Sequence, residues 1–222
     1  MKTKFIILGL TLLFSASLAM GQGGKTSFAI LGGVGLQNFN GKDYNGDKLE
    51  NTMILGYHAG VNVQIPLVPE FYFQPGLLFS TKGSKYDGVF LSSTYKLSYI
   101  ELPLNLVYKG LLGNGYVMVG FGPYVGYAIG GKVITEGGSA SFETDIEFTN
   151  EVELGDPLLT TYFKPLDAGG NIFVGYEMSN GIFIQLNTQM GMLNIKPKDV
   201  LLPNSKMAIR NTSYGISLGY RF

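Results

Sequence analysis

The chain has 222 residues, one histidine, His58, and no cysteine. Thiol catalysis, thiolate metal sites and disulfides are therefore excluded. Any general acid–base work near neutral pH falls to His58. Its candidate partners are Glu101 and Asp167, carboxylates able to orient an imidazole beside a hydroxyl nucleophile. No serine carries a nucleophile motif, so a hydrogen-bonded structural histidine is the plainer expectation. The run Gly120-Phe-Gly-Pro-Tyr-Val-Gly126 is no phosphate loop, because no helix pattern follows it.

A second group of residues could attract cations. Glu136, Glu143, Asp145, Glu147, Glu151, Glu153 and Asp156 fall in one stretch without a Lys or Arg. Carboxylate oxygens suit calcium, but the spacing matches no EF-hand loop. The sharper expectation is a cation-attracting or partner-binding surface on Glu143, Asp145, Glu147, Glu151 and Glu153. The plainer one is a solvated acidic loop. Phe142, Thr144, Ile146 and Phe148 alternate with acids, which predicts a β-hairpin arm rising from the strand before it. Elsewhere no cofactor or metal motif stands out. Lys+Arg and Asp+Glu both total 16, which leaves no surplus to neutralise phosphates and excludes a nucleic-acid partner.

These residues must be positioned by the elements around them. The chain opens with Lys2 and Lys4, an apolar core from Phe5 to Phe14, and Ala19-Met20-Gly21. That is the pattern of an export signal cleaved near Gly21, giving 1–21 as signal peptide and 22–222 as one domain. No cysteine follows, so no lipoprotein anchor forms. Beyond it the sequence alternates with a period of two. Met53, Leu55, Tyr57, Ala59, Val61, Val63 and Ile65 share one face, opposite His58, Asn62 and Gln64. Similar stretches predict eight strands, over about 28–36, 52–65, 71–80, 100–108, 117–129, 167–178, 182–192 and 214–222.

Connections alternate short and long. Pro66–Glu70, Gly110–Gly115 and Ser179–Gly181 are short, and two carry Asn-Gly, which favours hairpin turns. Loops at 38–51, 83–93, 132–163 and 194–206 are longer. Phe71, Phe73, Tyr108, Tyr176, Tyr220 and Phe222 gather on the apolar face at the short-turn end, as an aromatic girdle would. The fold class expected is all-β: an eight-stranded antiparallel up-and-down transmembrane barrel. Its polar face would line the lumen, with a network of His58, Asn62, Glu101, Asp167, Asn171, Glu177 and Arg221 alongside Gln64, Gln74, Asn105, Gln185, Asn187 and Gln189. Glu177 and Arg221, near the short-turn ends of strands that are not neighbours, are the candidates for an ion pair across the lumen.

Three stretches carry a resemblance. Tyr214-Gly-Ile-Ser-Leu-Gly-Tyr-Arg-Phe222 resembles the closing strand of outer-membrane barrels, whose terminal Phe is read by the barrel-assembly machinery. Tyr99-Ile-Glu-Leu-Pro-Leu-Asn-Leu-Val-Tyr-Lys109 and Asp167-Ala-Gly-Gly-Asn-Ile-Phe-Val-Gly-Tyr-Glu177 are similar to stretches of the PorT-like outer-membrane β-barrel family of Gram-negative bacteria. The resemblance implies an outer-membrane location, outer-membrane lipid and the assembly machinery as partners, and no catalysis. Some members of that family are linked to protein secretion, so an envelope or secretion partner is a further expectation. The expected role is structural or interactive. The alternatives are a narrow porin-like transporter and a lipid-modifying enzyme using His58.

Overall fold

Alternation with one apolar face forces each strand to lie between two environments, and closing the sheet removes its edges. The computed structural model describes residues 25–138, 140–157, 159–200 and 205–222. The expected export signal, 1–21, lies outside them. The strands are β1 (Ser27–Lys42), β2 (Ile54–Val68), β3 (Phe71–Asp87), β4 (Ser92–Leu112), β5 (Gly115–Gly137), β6 (Ala140–Phe148), β7 (Glu151–Val152), β8 (Thr161–Phe163), β9 (Leu166–Met178), β10 (Ile182–Gly191), β11 (Lys198–Asp199) and β12 (Ala208–Arg221). Eight of them form a closed antiparallel ring in the order β1-β2-β3-β4-β5-β9-β10-β12, with β12 pairing back onto β1.

The outer wall is apolar at every strand. Val61, Leu77, Leu102, Val125, Ile172, Leu186, Ile216 and Val34 all point outward and are exposed. A continuous apolar belt of this kind is a lipid-facing surface. At its short-turn end Phe71 stacks near Tyr108 at 5.3 Å, and Tyr220 meets Phe222 edge-on at 4.9 Å.

The long-loop end departs from the sequence expectation in two places. The stretch 83–93 is not a long loop. β3 and β4 continue in register up to Asp87 and Ser92, leaving a four-residue turn. In the stretch 132–163 the expected β-hairpin arm forms, but it starts from a β5 that runs longer than the alternation suggested. β5 runs on to Gly137 and folds back as β6, pairing Lys132 with Asp145 through Gly137 with Ala140. β7 and β11 then pair across two different loops. The reason is that outward residues turn polar without losing alternation: Ser92, Thr94, Lys96 and Ser98 continue the face that Ile100 and Leu102 begin. A bulge at Ser98/Tyr99 marks the change. There Tyr99 pairs with Ala128 and Ser98 with Gly130, so β5 gains a residue and its parity switches. A membrane span needs about 9–11 residues. β3, β4 and β5 have 17, 21 and 23 and rise well past it as an arm.

Candidate functional site

The lumen is filled in tiers. At the short-turn end Arg221 Nε donates to Glu177 Oε2 at 2.9 Å, and Lys109 Nζ reaches Glu177 Oε1 at 2.5 Å. The Arg221 guanidinium also donates to Asn62 Oδ1 at 3.2 Å and Gln74 Oε1 at 3.4 Å. Gln64 Nε2 donates to the same Gln74 oxygen at 2.7 Å. The Glu177–Arg221 pair forms, and Lys109 joins it. Above lies an apolar tier of Ala29, Val107, Met118, Phe173 and Phe183.

The middle tier holds amides and the histidine. Asn171 Nδ2 donates to Asn105 Oδ1 at 2.5 Å. His58 Nε2 lies 2.7 Å from Ser217 Oγ, and Asn187 Nδ2 donates to that same oxygen at 2.7 Å. Because Asn187 donates, the Ser217 proton is free to point at His58. This is the spacing of a nucleophile and its base. Among the described residues no carboxylate bonds the imidazole. Ser217 is 1% exposed, and His58 and Asn187 line a cavity of about 70 Å³, room for a few waters. Glu101 and Asp167, the expected partners of His58, are committed elsewhere.

They form the next tier with Lys82, whose Nζ lies 2.6 Å from Glu101 Oε1 and 3.1 Å from Asp167 Oδ2. Tyr124 OH donates to Asp167 Oδ2 at 3.1 Å, Asn211 Nδ2 to the same oxygen at 2.9 Å, and Gln189 Nε2 to Glu101 Oε2 at 3.1 Å. The ammonium also lies 4.2 Å from the Tyr124 ring centroid. Above this, Phe39, Leu97, Tyr99, Ala128, Val133, Ile146, Phe163, Ile195 and Ile209 form an apolar cluster across the mouth.

The single polar network expected from sequence is thus four separate groups: Asn62–Glu177–Arg221, the Glu101–Asp167 pair joined by Lys82, Asn171 with Asn105, and His58 with Ser217 and Asn187. Lys82 lies past Ser80, where the apolar alternation of strand three runs out. Its parity with Gln74, Gly76, Leu78 and Ser80 was the available signal. Asn211 likewise lies ahead of the apolar alternation of the last strand.

Outside the barrel, the acids of the arm do not converge. Glu143, Asp145 and Glu147 line one exposed face of β6, Lys132 pairs with Glu143, and Glu151 and Glu153 lie on and beyond β7. Among the described residues no three His, Asp or Glu side chains are placed to hold a metal ion. On β3, Lys85 and the Thr52 hydroxyl bond the Asp87 carboxylate at 3.0 and 3.1 Å, and hold it below the usual carboxylate range. Among the first, third and fourth long loops opens a cleft of about 890 Å³, lined among others by Tyr44, Tyr86, Tyr95, Glu50, Asp156 and Lys196.

A closed eight-stranded ring with a polar, packed interior and an apolar outer belt defines an outer-membrane β-barrel. A family model described as "Outer membrane protein beta-barrel domain" matches residues 19–196, and the chain belongs to that family. Among solved structures, Ail, the attachment invasion locus protein of Yersinia pestis, aligns at 10% identity, covering 88% of this chain and 99% of Ail, with a TM-score of 0.37. Ail in complex with the heparin analogue sucrose octasulfate aligns at 12% identity, covering 88% and 99%, with a TM-score of 0.39. The P. putida toluene transporter TodX aligns at 10% identity, covering 93% and 91%, with a TM-score of 0.19. At such scores these likenesses add nothing to the argument. No curated protein matches the chain.

Proposed function

We propose that this outer-membrane barrel is a non-catalytic envelope protein of the PorT-like kind, acting through the surface its long loops build, with protein secretion as the process it serves. One observation carries this reading: side chains pack the lumen in tiers around a cavity of only about 70 Å³. Two charged tiers, an apolar tier and an amide tier are stacked beneath an apolar mouth cluster. An eight-stranded barrel has only enough interior for such side chains. Such packing argues against a porin-like water path, and the burial of Ser217, 1% exposed, argues against attack on a lipid substrate. The elaborated part of the molecule is the long-loop end, where the arm, the paired loops and the cleft lie.

The test has two arms. The purified protein in planar bilayers is expected to show no discrete conductance steps. Photo-cross-linkers in the long loops of the protein in native envelopes are expected to capture a protein partner, and those on the short turns are not. Steady conductance would favour the transporter. Lipid turnover that disappears in His58→Ala would favour the enzyme.

A further inference from the structure

Among the described residues, one edge of β6 is only partly paired. Its residues Ala140 to Asp145 pair with β5 on one side, and on the other β6 meets β8 only from Ile146 to Phe148. Among the described residues no strand pairs with the far edge of 140–145. Six residues of strand present roughly 20 Å of backbone. A free edge of this kind is a template for another strand.

The side chains along this edge are sorted. Glu143 and Asp145 share one face, and Ala140, Phe142 and Thr144 the other, with Phe142 66% exposed. Acids on an edge block self-pairing: an antiparallel β6–β6 contact would bring Glu143 and Asp145 of two copies against each other, and like charges across strands repel. The same pattern favours an incoming strand with cations on one face and apolar residues on the other. One cation already occupies this face, since Lys132, on the neighbouring strand, pairs with Glu143. The arm is held firmly enough to receive a strand. β5 continues unbroken from the barrel wall, and Ile146 is buried in the mouth cluster.

We propose that the free edge of β6 binds an extended segment of a partner protein by strand addition, the segment alternating Lys or Arg with apolar residues. Main-chain hydrogen bonds supply the affinity, and the alternation supplies the choice of partner. The proposal rests on the reading that the long-loop end is an interaction surface.

The test uses the mature protein in lipid nanodiscs and fluorescent synthetic peptides. An alternating Lys-Val peptide is expected to bind. A block-scrambled version and a backbone N-methylated version are expected to bind at least tenfold more weakly. Glu143→Lys with Asp145→Lys should reverse the preference toward an alternating Glu-Val peptide, with folding checked by heat-modifiable gel mobility. Equal binding of the N-methylated or scrambled peptide would show charge attraction without strand addition and overturn the proposal. So would absence of binding, or dimerisation of the protein through the arm. Cross-linking of a native partner to other long loops, with no peptide bound at β6, would remove the edge while leaving the broader envelope role in place.

Discussion

At the short-turn end two cations share one carboxylate, Arg221 and Lys109 on Glu177. Toward the mouth one cation, Lys82, serves two carboxylates, Glu101 and Asp167. Exposure differs too: the side chains of Lys109 and Glu177 keep 10% and 8%, whereas those of Lys82, Glu101 and Asp167 keep 2%, 1% and 0%. Near the rim, water and the forked guanidinium spread the extra charge over Asn62 and Gln74. In the deeper tier the extra negative charge is met by neutral donors, Tyr124 and Asn211 on Asp167 Oδ2 and Gln189 on Glu101 Oε2, while Asp167 Oδ1 has no hydrogen-bond partner among the described residues. Ions withdrawn from water must be paired and hydrogen-bonded. Depth decides which cluster depends on its cation.

The largest expected effect follows. Lys82→Met leaves two carboxylates buried without a cation and should cost about 3–5 kcal/mol. Lys109→Met leaves Glu177 on Arg221 and should cost about 1–2 kcal/mol. Denaturant titration of the refolded barrel, followed by heat-modifiable mobility, measures both. Glu101→Gln with Asp167→Asn should recover most of the Lys82→Met loss. Equal costs for the two lysine variants would break the comparison.

The wall around these tiers should be nearly as sensitive. Leu104→Arg places a charge in lipid and should cost about 2–4 kcal/mol, whereas Asp47→Arg, in an exposed loop, should stay within about 0.5 kcal/mol. Equal tolerance in the same titration would contradict the assignment of faces.

The apolar tier separating the clusters is probed through its glycine. A Cβ at Gly120 would lie 2.3 Å from the Phe173 ring, while at Gly126 the nearest atoms, on Glu101 and Tyr99, are 3.4 Å away. Gly120→Ala should cost about 1–3 kcal/mol by overpacking, and Gly126→Ala should be close to neutral. The same unfolding midpoints decide this.

The smallest effect concerns an exposed pair. Lys85 and Thr52 lower the Asp87 carboxyl's pKa, so the tie between the first loop and β3 is complete above the normal carboxylate range and is lost as pH falls through the lowered value. Protease cleavage of the first long loop should therefore rise only below about pH 4, with no change between pH 5 and 8. A change in that upper range would point to a different group.

Much of this was legible in the residues. A period-two pattern fixed both faces of each strand, because successive side chains must point to opposite sides. Asn-Gly turns and outward aromatics then oriented the barrel. Where polarity changes along a continuing strand, at 83–93 and, past the bulge that switches β5's parity, at 132–137, the ladder runs on beyond the apolar alternation. Hydrogen bonding along a ladder does not end when lipid does.

Contacts across the lumen were beyond that reading. His58 meets Ser217 over Gly33, which pairs with both residues in register. Glu101 and Asp167 both face Gly126 on the strand between them and share Lys82 from a third direction. A glycine between two long side chains leaves the gap through which they approach, and the sequence shows the glycines plainly. Which residues flank each one depends on strand register and ring closure. Those are set by every strand of the barrel together, and only the tertiary structure decides them.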